Sequence, residues 1–286
     1  MTVTFVRGVP VVHWNPRKHI VRIPGAPFRW GPRINNFGDV LGLDIVQGLA
    51  SGARVTRVSD SPVRRRPRAP RLLAVGSIMH LAEDRDVIWG TGINGKVSDF
   101  RYRAKELDIR AVRGPLTRSR LESWGFEVPE VYGDPAVLLP ELISPPAVPE
   151  RSQEYVVVPN LNDEPSWRGL PGLISPRQEL SYIISKICQS EFVVGSSLHA
   201  MVLADAYGVP SVLVRSKNEP PFKYEDYYRG TGQGSFVSKD SVDDAIAEAR
   251  AMLRSNAFNM PNLDSVRARL RAAFPTELWT RTEGDG

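Results

Sequence analysis

Short apolar runs alternate with segments of helical period through most of the chain. Runs rich in Val, Ile and Leu predict buried strands, and apolar residues that recur at helical spacing predict amphipathic helices. Strands are predicted at 71–79, 86–93, 109–112, 154–159, 191–195 and 209–214. Alternation of strands with helices is typical of a mostly parallel sheet covered by helices, so the pattern predicts an α/β fold.

The helical segments and one proline-rich stretch predict how this fold is divided. Helices are predicted at 39–50, 114–124, 135–143, 177–190, 197–208, 241–255 and 263–274. The stretch 143–153 has three prolines and no periodicity, which favours a linker. We therefore expect two Rossmann-like lobes, 1–148 and 149–286, with terminal helices on the second. Ligands of such folds bind at the carboxyl ends of strands, here in the cleft between the lobes.

The composition is that of an ordinary globular protein and predicts no metal or cofactor. Of the 286 residues, 42% are hydrophobic and 24% are charged. No apolar run approaches the roughly 18 residues that cross a bilayer, and the first residues lack the pattern of a secretory signal. The single cysteine, Cys188, excludes an internal disulfide, and the four histidines are not at zinc-ligand spacing. We expect a cytoplasmic protein.

The formal charge of +5 favours anionic partners, and much of the excess lies in one segment. Arg54 to Arg71 contains seven arginines, three prolines and one acid, Asp60. This segment is either a solvated loop or a basic patch that holds the protein at the inner face of the membrane, on anionic lipid or a lipid-linked phosphate. Nucleic acid is disfavoured, because no aromatic residues interleave the arginines to stack on bases.

The first candidate for chemistry is the segment INNFGDVLG at 34–42, where two amides, a glycine and an acid adjoin a predicted helix. Asn36 or Asp39 could simply cap that helix. Alternatively, Gly38 lets the backbone approach a ligand and Asp39 acts as a base or hydroxyl acceptor. The residue types alone leave both interpretations open.

Two glycine-containing turns, AVGSIMH at 74–80 and IWGTGI at 88–93, follow predicted strands. Glycine at the end of a strand lets the chain turn tightly and lets a ligand approach. Neither turn is a GxGxxG that opens a helix, so neither is a dinucleotide fingerprint. They are weak predictions of phosphate-binding loops.

The segment AVRGPLTR at 111–118 places Arg113 at a strand end and Pro115 at a helix start. An arginine beside a helix N-terminus suits a carboxylate or phosphate, although a structural ion pair explains it equally well. In YGDPAVLLP at 132–140, Asp134 begins another predicted helix that faces the same cleft.

The segment FVVGSSLHAMVLADAYGVPSVLV at 192–214 carries the strongest pattern: strand, turn, helix, strand. The amides and hydroxyls of Ser196 and Ser197 open the helix and form an anion site. His199 lies in the first turn, where the helix dipole favours the neutral imidazole. A Ser/His hydrolase is disfavoured, because GxSxG is missing and residues two apart on a helix point about 200° away from each other.

The segment PPFKYEDYYRG at 220–230 is expected to be a polar, aromatic loop beyond the last strand of the second lobe. Lys223 and Asp226 could reach the cleft from it. Alternatively, Tyr224, Tyr227 and Tyr228 only pack the loop against the protein.

Read together, these segments resemble the polysaccharide pyruvyl transferase family from about Asn35 to Tyr228. The motifs that carry the resemblance are INNFGDVLG, AVGSI, WGTGI, AVRGPLTR, GDPAVL, VVGSSLHAMVLADAYGVPSV and FKYEDYY. The motif FKYEDYY is similar to that of family members that build pyruvate ketals on bacterial exopolysaccharides. The resemblance implies a two-lobed, GT-B-like fold, phosphoenolpyruvate as donor and a pair of sugar hydroxyls as acceptor. Family members commonly bind the donor through Arg-Leu-His. Here the triplet is Ser197-Leu198-His199, so another cation must replace the arginine.

On this resemblance, His199 is the expected general acid and Asp39 the base, because ketal formation needs a proton at the methylene carbon and a base for the hydroxyl. The donor carries nearly three negative charges, which cations and helix N-termini would balance. The expected donor-binding residues are Arg113, Ser196, Ser197, Arg215 and Lys223. The expected acceptor-side residues are Asn35, Asn36, Gly38, Ser77, His80, Thr91 and Asp134.

The implied partners are phosphoenolpyruvate and a saccharide or lipid-linked saccharide precursor of a cell-surface polysaccharide. Two other functions remain open. A GT-B glycosyltransferase that uses a sugar nucleotide would share the fold and a basic cleft. A non-catalytic binding protein of the same fold is suggested by the missing arginine.

Overall fold

A computed structural model describes residues 2–17, 31–51, 70–143 and 151–280. In these ranges the strands form two sheets. The first contains β1 Thr2–Val6, β2 Val9–His13, β3 Leu72–Leu73, β4 Asp86–Trp89 and β5 Leu107–Ala111. The second contains β6 Gln153–Val158, β7 Ser190–Gly195, β8 Ser211–Val214 and β9 Ser238–Lys239.

Both sheets are mostly parallel. In the first sheet β1 and β2 form an antiparallel hairpin, and β2 to β5 run parallel. In the second sheet β6 to β9 are all parallel. The described strands lie in the order in which they occur along the chain. The α/β class predicted from the sequence is confirmed.

Helices connect these strands, and most of them lie where the sequence predicts. They are α1 Phe37–Ser51, α2 Pro115–Ser123, α3 Leu139–Leu142, α4 Leu180–Cys188, α5 Leu198–Tyr207, α6 Phe222–Gly230, α7 Val242–Arg254, α8 Asp264–Ala272 and α9 Glu277–Thr280. The helix predicted at 135–143 is divided into a 3₁₀ turn, Pro135–Leu138, and the short α3. Within the described ranges, no helix combines the length and apolar character needed to cross a bilayer.

Several elements differ from the prediction, since the two-residue strand β9 and the short helix α9 were not predicted, and two further differences are larger. The expected aromatic loop at 220–230 is wrong, because the segment forms α6, in which Tyr224 and Tyr227 are buried. The hairpin of β1 and β2 was not predicted. Its turn is made by Arg7 and Gly8, both at positive φ (47° and 87°). Hairpin turns of this kind are recognised in sequences by Asn-Gly or Asp-Gly, and Arg-Gly carries no such signal.

One hydrophobic core joins the two sheets. It includes Trp89 of the first sheet and Val193 of the second, with α5 between them contributing Met201 and Leu203. All four side chains are fully buried. The helix α5 is therefore held from both sides, and this fixes the position of its first turn.

The last helices pack back onto the first sheet. The indole Nε1 of Trp89 donates a hydrogen bond of 2.8 Å to the Leu270 carbonyl on α8. The indole of Trp279 on α9 donates one of 3.1 Å to the Val6 carbonyl. The boundary expected between 148 and 149 lies within the stretch 144–150, which is outside the described residues.

Candidate active site

A cleft of about 280 Å³ opens where the two sheets meet. Its walls are the turns that follow β3 and β4 in the first sheet and β6 and β7 in the second. The strands within each sheet are parallel there, so these turns lie at the carboxyl ends of the strands, where open α/β sheets bind ligands.

His199 lies in the first turn of α5 and lines this cleft. Ser197 caps the helix, its Oγ accepting a hydrogen bond of 3.4 Å from the Ala200 amide. The imidazole Nε2 is buried 3.5 Å from Asp134 Oδ2, and neither atom has a hydrogen-bond partner among the described residues. Asp134 Oδ1 accepts a hydrogen bond of 3.0 Å from the Ala136 amide, which fixes the carboxylate. Asp134 therefore faces the Nε2 side of the ring at ion-pair distance.

The first turn of α1 packs against the other side of the His199 ring. A Cβ built on Gly38 would overlap His199 Nδ1, so any larger residue at this position must displace the ring. Phe37 meets the imidazole edge-on, with the ring centroids 6.4 Å apart. The imidazole is thus held between α1 and Asp134.

Asp39 lies beside His199 on the wall formed by α1. Its Oδ2 accepts a hydrogen bond of 2.6 Å from Asn36 Nδ2. Burial raises the pKa of the Asp39 carboxyl, although Asn36, His199 and Lys223 act in the opposite direction. A carboxyl whose pKa is raised towards neutrality is a better proton acceptor than an ordinary aspartate.

His80 is the second histidine in the cleft. Burial, followed by the charge of Arg101, lowers the pKa of the His80 imidazole. His80 is therefore uncharged at neutral pH and contributes no positive charge to anion binding. Its ring meets Tyr102 edge-on, with centroids 6.4 Å apart.

The cations of the cleft are two lysines, among the described residues that line it. Lys96 comes from the turn after β4, and Lys223 comes from α6. Both ammonium groups bind the carboxylate of Glu219. No group of three or more Asp, Glu, His or Cys residues placed to hold a metal is found in the described part of the chain.

Seven residues predicted from the sequence line the cleft, and they come from both halves of the chain. They are Asn36, Asp39, Ser77, His80, Ser197, His199 and Lys223. Three others support the site from behind. Gly38 and Asp134 hold the His199 ring, and the Thr91 hydroxyl donates a hydrogen bond of 2.8 Å to the Gly76 carbonyl, linking the turns after β3 and β4.

The predicted anion-binding role of Arg113 is not supported by its position. The side chain is fully buried and pairs with Asp226 at 3.1 Å, as the alternative of a structural ion pair predicts. Arg113 Nη1 also donates a hydrogen bond of 2.6 Å to Ser77 Oγ. Arg113 thus supports the wall of the cleft and reaches a ligand only through Ser77.

Three further predictions need correction. The hydroxyl of Ser196 is buried, because it donates to Asp163 and accepts from the Asn160 amide. Asn35 does not line the cleft, because its amide groups form two hydrogen bonds with the side chain of Asn15. The exposed Arg215 pairs with Asp240 at 3.3 Å and lines a second cavity, which shares Glu219 with the cleft, so Arg215 is not among the cations that line the cleft itself.

Several lining residues were not predicted, although most follow strands as the predicted ones do. They are Trp14, Ile78, Asn94, Lys96, Asn160, Leu161, Asn162, Leu198 and Glu219. The polar residues that follow β4 and β6 could have been found from their place at strand ends. Glu219 lies in the loop between β8 and α6, about as far beyond its strand as Asn94 lies beyond β4, and could have been found in the same way.

Comparison with known proteins gives one consistent result. The sequence model of the polysaccharide pyruvyl transferase family matches residues 36–218. The succinoglycan biosynthesis protein ExoV of Rhizobium meliloti (strain 1021) is 33% identical over 222 residues, which are 72% of this chain and 65% of ExoV. Protein L143 of Acanthamoeba polyphaga mimivirus, described as uncharacterized, is 27% identical over 228 residues, which are 74% of this chain and 77% of L143. The match thus spans just under two thirds of the length of ExoV. The resemblance inferred from the motifs is confirmed, and the chain belongs to the polysaccharide pyruvyl transferase family.

Proposed function

We propose that this protein is a pyruvyl transferase that uses phosphoenolpyruvate to form a cyclic pyruvate ketal on two hydroxyls of a saccharide. The acceptor would be a precursor of a cell-surface polysaccharide or glycolipid, since the relative ExoV is named for succinoglycan biosynthesis. The observation that carries the proposal is the pair of His199 and Asp134 in a cleft that also contains lysines. Such a site can deliver a proton and bind an anion together.

In the proposed reaction His199 gives a proton to the methylene carbon of phosphoenolpyruvate. Asp134 faces Nε2 and stabilises the imidazolium before transfer. A saccharide hydroxyl then bonds to the second carbon of the donor, and Asp39 accepts its proton. The bond from that carbon to the phosphate oxygen breaks, and a second hydroxyl closes the ketal. Of the two hydroxyl protons, one replaces the proton given by His199 and the other leaves with phosphate, so atoms and charge balance.

The proposed architecture is a GT-B-like pair of Rossmann-like lobes, 1–148 and 149–286, with the active site between them. It is supported by a cleft whose walls come from the carboxyl ends of strands in both sheets. We further propose a cytoplasmic protein that contacts anionic membrane through the basic segment 54–71. The charge of this segment supports the contact. Residues 54–69 of the segment lie outside the described residues.

Phosphoenolpyruvate at millimolar concentration is expected to raise the melting temperature by several degrees. A ligand present at 100 times its Kd stabilises the folded state by about 2.7 kcal/mol. UDP-glucose and GDP-mannose at the same concentration serve as controls in the same thermal unfolding experiment. A shift with phosphoenolpyruvate alone supports the proposal, whereas a shift with a sugar nucleotide alone contradicts it and favours a glycosyltransferase. Binding of phosphoenolpyruvate without turnover on any acceptor would favour a non-catalytic protein.

Gly38→Ala is expected to reduce turnover about 100-fold at a temperature at which the variant is still folded. The added methyl group meets His199 Nδ1 and must displace the imidazole, and a misplacement of about 1 Å can cost roughly 10²-fold in rate. Alanine is also favoured over glycine within a helix by about 1 kcal/mol. Phosphate release from phosphoenolpyruvate and thermal unfolding measure the two effects. Normal turnover, or a loss of activity explained by early unfolding, would contradict this role of Gly38.

A further inference from the structure

Two lysine ammonium groups and one side-chain amide bind the single carboxylate of Glu219 in the wall of the cleft. Lys96 Nζ binds Glu219 Oε1, and Lys223 Nζ binds Glu219 Oε2 at 2.9 Å. Asn162 Nδ2 donates a further hydrogen bond of 3.0 Å to Glu219 Oε1. All four residues line the cleft. The Glu219 carboxylate therefore occupies a set of donors that would suit any oxyanion.

This cluster is more than a solvated surface ion pair. Only 6% of the Glu219 side chain and 9% of the Lys223 side chain are exposed. Burial alone would raise the pKa of Glu219, but Lys223 and Lys96 outweigh it and hold the pKa of that carboxyl below its usual range. Glu219 is therefore ionised at neutral pH, and its charge offsets one of the two ammonium groups.

We propose that Lys96 and Lys223 bind the phosphate group of the donor and that Glu219 competes with that phosphate for the two ammonium groups. This assignment rests on the proposed function and supplies the cation missing before Leu198 and His199. Arg113 and Arg215 do not supply it, since one is buried in an ion pair and the other lines the second cavity.

Competition by an internal carboxylate has a use in a transferase that releases phosphate. Two lysines without a counter-ion would hold the product phosphate tightly, and product release limits many enzymes. When phosphate leaves, the carboxylate binds the two ammonium groups in its place. This competition weakens the binding of phosphate. Glu219 would thus lower the affinity for phosphate while keeping the lysines in place.

Glu219→Gln is expected to lower the Kd for inorganic phosphate about tenfold, because the neutral amide keeps the shape of the side chain and removes the competing charge. Lys96→Met is expected to raise that Kd about tenfold. In the double variant the gain from Glu219→Gln should shrink, since one of the two ammonium groups it releases is missing. Isothermal titration calorimetry of the full chain with inorganic phosphate, and separately with phosphoenolpyruvate, measures each value.

Matched controls come from charged residues outside the cleft. Glu225→Gln removes a carboxylate from α6 that binds Arg229, and Lys105→Met removes an exposed lysine from the loop between β4 and β5. Both should leave the Kd for phosphate unchanged. If Glu219→Gln proves too unstable to titrate, Lys96→Met tests the same site, because the Lys96 side chain is 37% exposed and less needed for folding.

An unchanged or weaker affinity for phosphate in folded Glu219→Gln would overturn the competition by Glu219. An unchanged affinity in Lys96→Met would overturn the phosphate site itself. These results are separate from those that test the function. If phosphoenolpyruvate stabilises the wild-type protein but neither variant alters phosphate binding, the proposed function is supported and the proposed phosphate site is contradicted. If the variants alter phosphate binding as expected but phosphoenolpyruvate binds no better than phosphate, the phosphate site is supported and the assignment of phosphoenolpyruvate as donor is contradicted.

Discussion

Replacing His199 by asparagine is expected to reduce kcat by about 10²–10⁴-fold, the usual contribution of a positioned general acid. Asparagine cannot deliver a proton to the methylene carbon of phosphoenolpyruvate near neutral pH. The Ser197 cap of α5 does not involve the imidazole, so the helix should start where it does in the wild type. The measurement is phosphate release from phosphoenolpyruvate with a saccharide acceptor found by screening.

Donor binding separates a chemical role of His199 from a structural one. In the proposed site the donor phosphate is bound by Lys96 and Lys223, so His199→Asn should retain the Kd for phosphoenolpyruvate within a few-fold. Its melting temperature should also stay close to that of the wild type. Near-normal turnover would rule out His199 as the general acid. Lost turnover together with lost folding would instead show that the ring is needed for packing against Phe37.

Asp226→Ala is expected to destabilise the protein by about 3–5 kcal/mol, because it leaves the fully buried guanidinium of Arg113 without its counter-ion. The same carboxylate accepts hydrogen bonds from the amide and the hydroxyl of Thr117, at 2.9 and 2.6 Å. These bonds join α2 of the first half of the chain to α6 of the second. Denaturant unfolding measures the change, and a melting temperature lower by roughly 6–20 °C is expected for a chain of this size.

An exposed ion pair provides the matched control for this prediction. Asp240 pairs with Arg215 at 3.3 Å, and the two side chains are 80% and 69% exposed. Asp240→Ala should change stability by less than about 0.5 kcal/mol. A double variant, Asp226→Ala with Arg113→Met, should be more stable than Asp226→Ala alone, since it removes the unpaired charge. Equal effects of Asp226→Ala and Asp240→Ala would contradict the burial argument.

The two parts of the site depend on each other through α6. This helix carries Lys223 into the cleft and Asp226 into the ion pair with Arg113. A Cβ built on Gly114 would overlap the Asp226 carbonyl, and one built on Gly230 would overlap the Arg113 carbonyl, so α6 approaches the start of α2 closely at both positions. Loss of the ion pair is therefore expected to disturb the lysine as well as the fold.

The sequence by itself determined the elements and the most informative part of the site. Alternating apolar runs and helical periods predicted the parallel strands and most helices, because these patterns depend on which faces are buried. His199 was found because the segment from Phe192 to Gly208 contains a strand, a serine cap, a helix and a glycine stop, all of them local signals. A strand end also predicted Ser77 on the same cleft, since parallel strands end at one edge of a sheet, and the helix start in the segment 34–42 predicted Asp39.

Only the tertiary structure decided which charges face the cleft. Arg113 and Asp226 are separated by 113 positions along the chain, and their pairing buries both. Lys96 and Glu219 are separated by 123 positions, and their contact brings a second lysine into the cleft. Caps and periodicities are set by residues a few positions apart, and so they can be read from the sequence. Desolvation and ion pairing depend on which distant side chains the fold brings together. For this reason Arg113, which the sequence predicted to bind a ligand, instead forms a buried structural ion pair with Asp226.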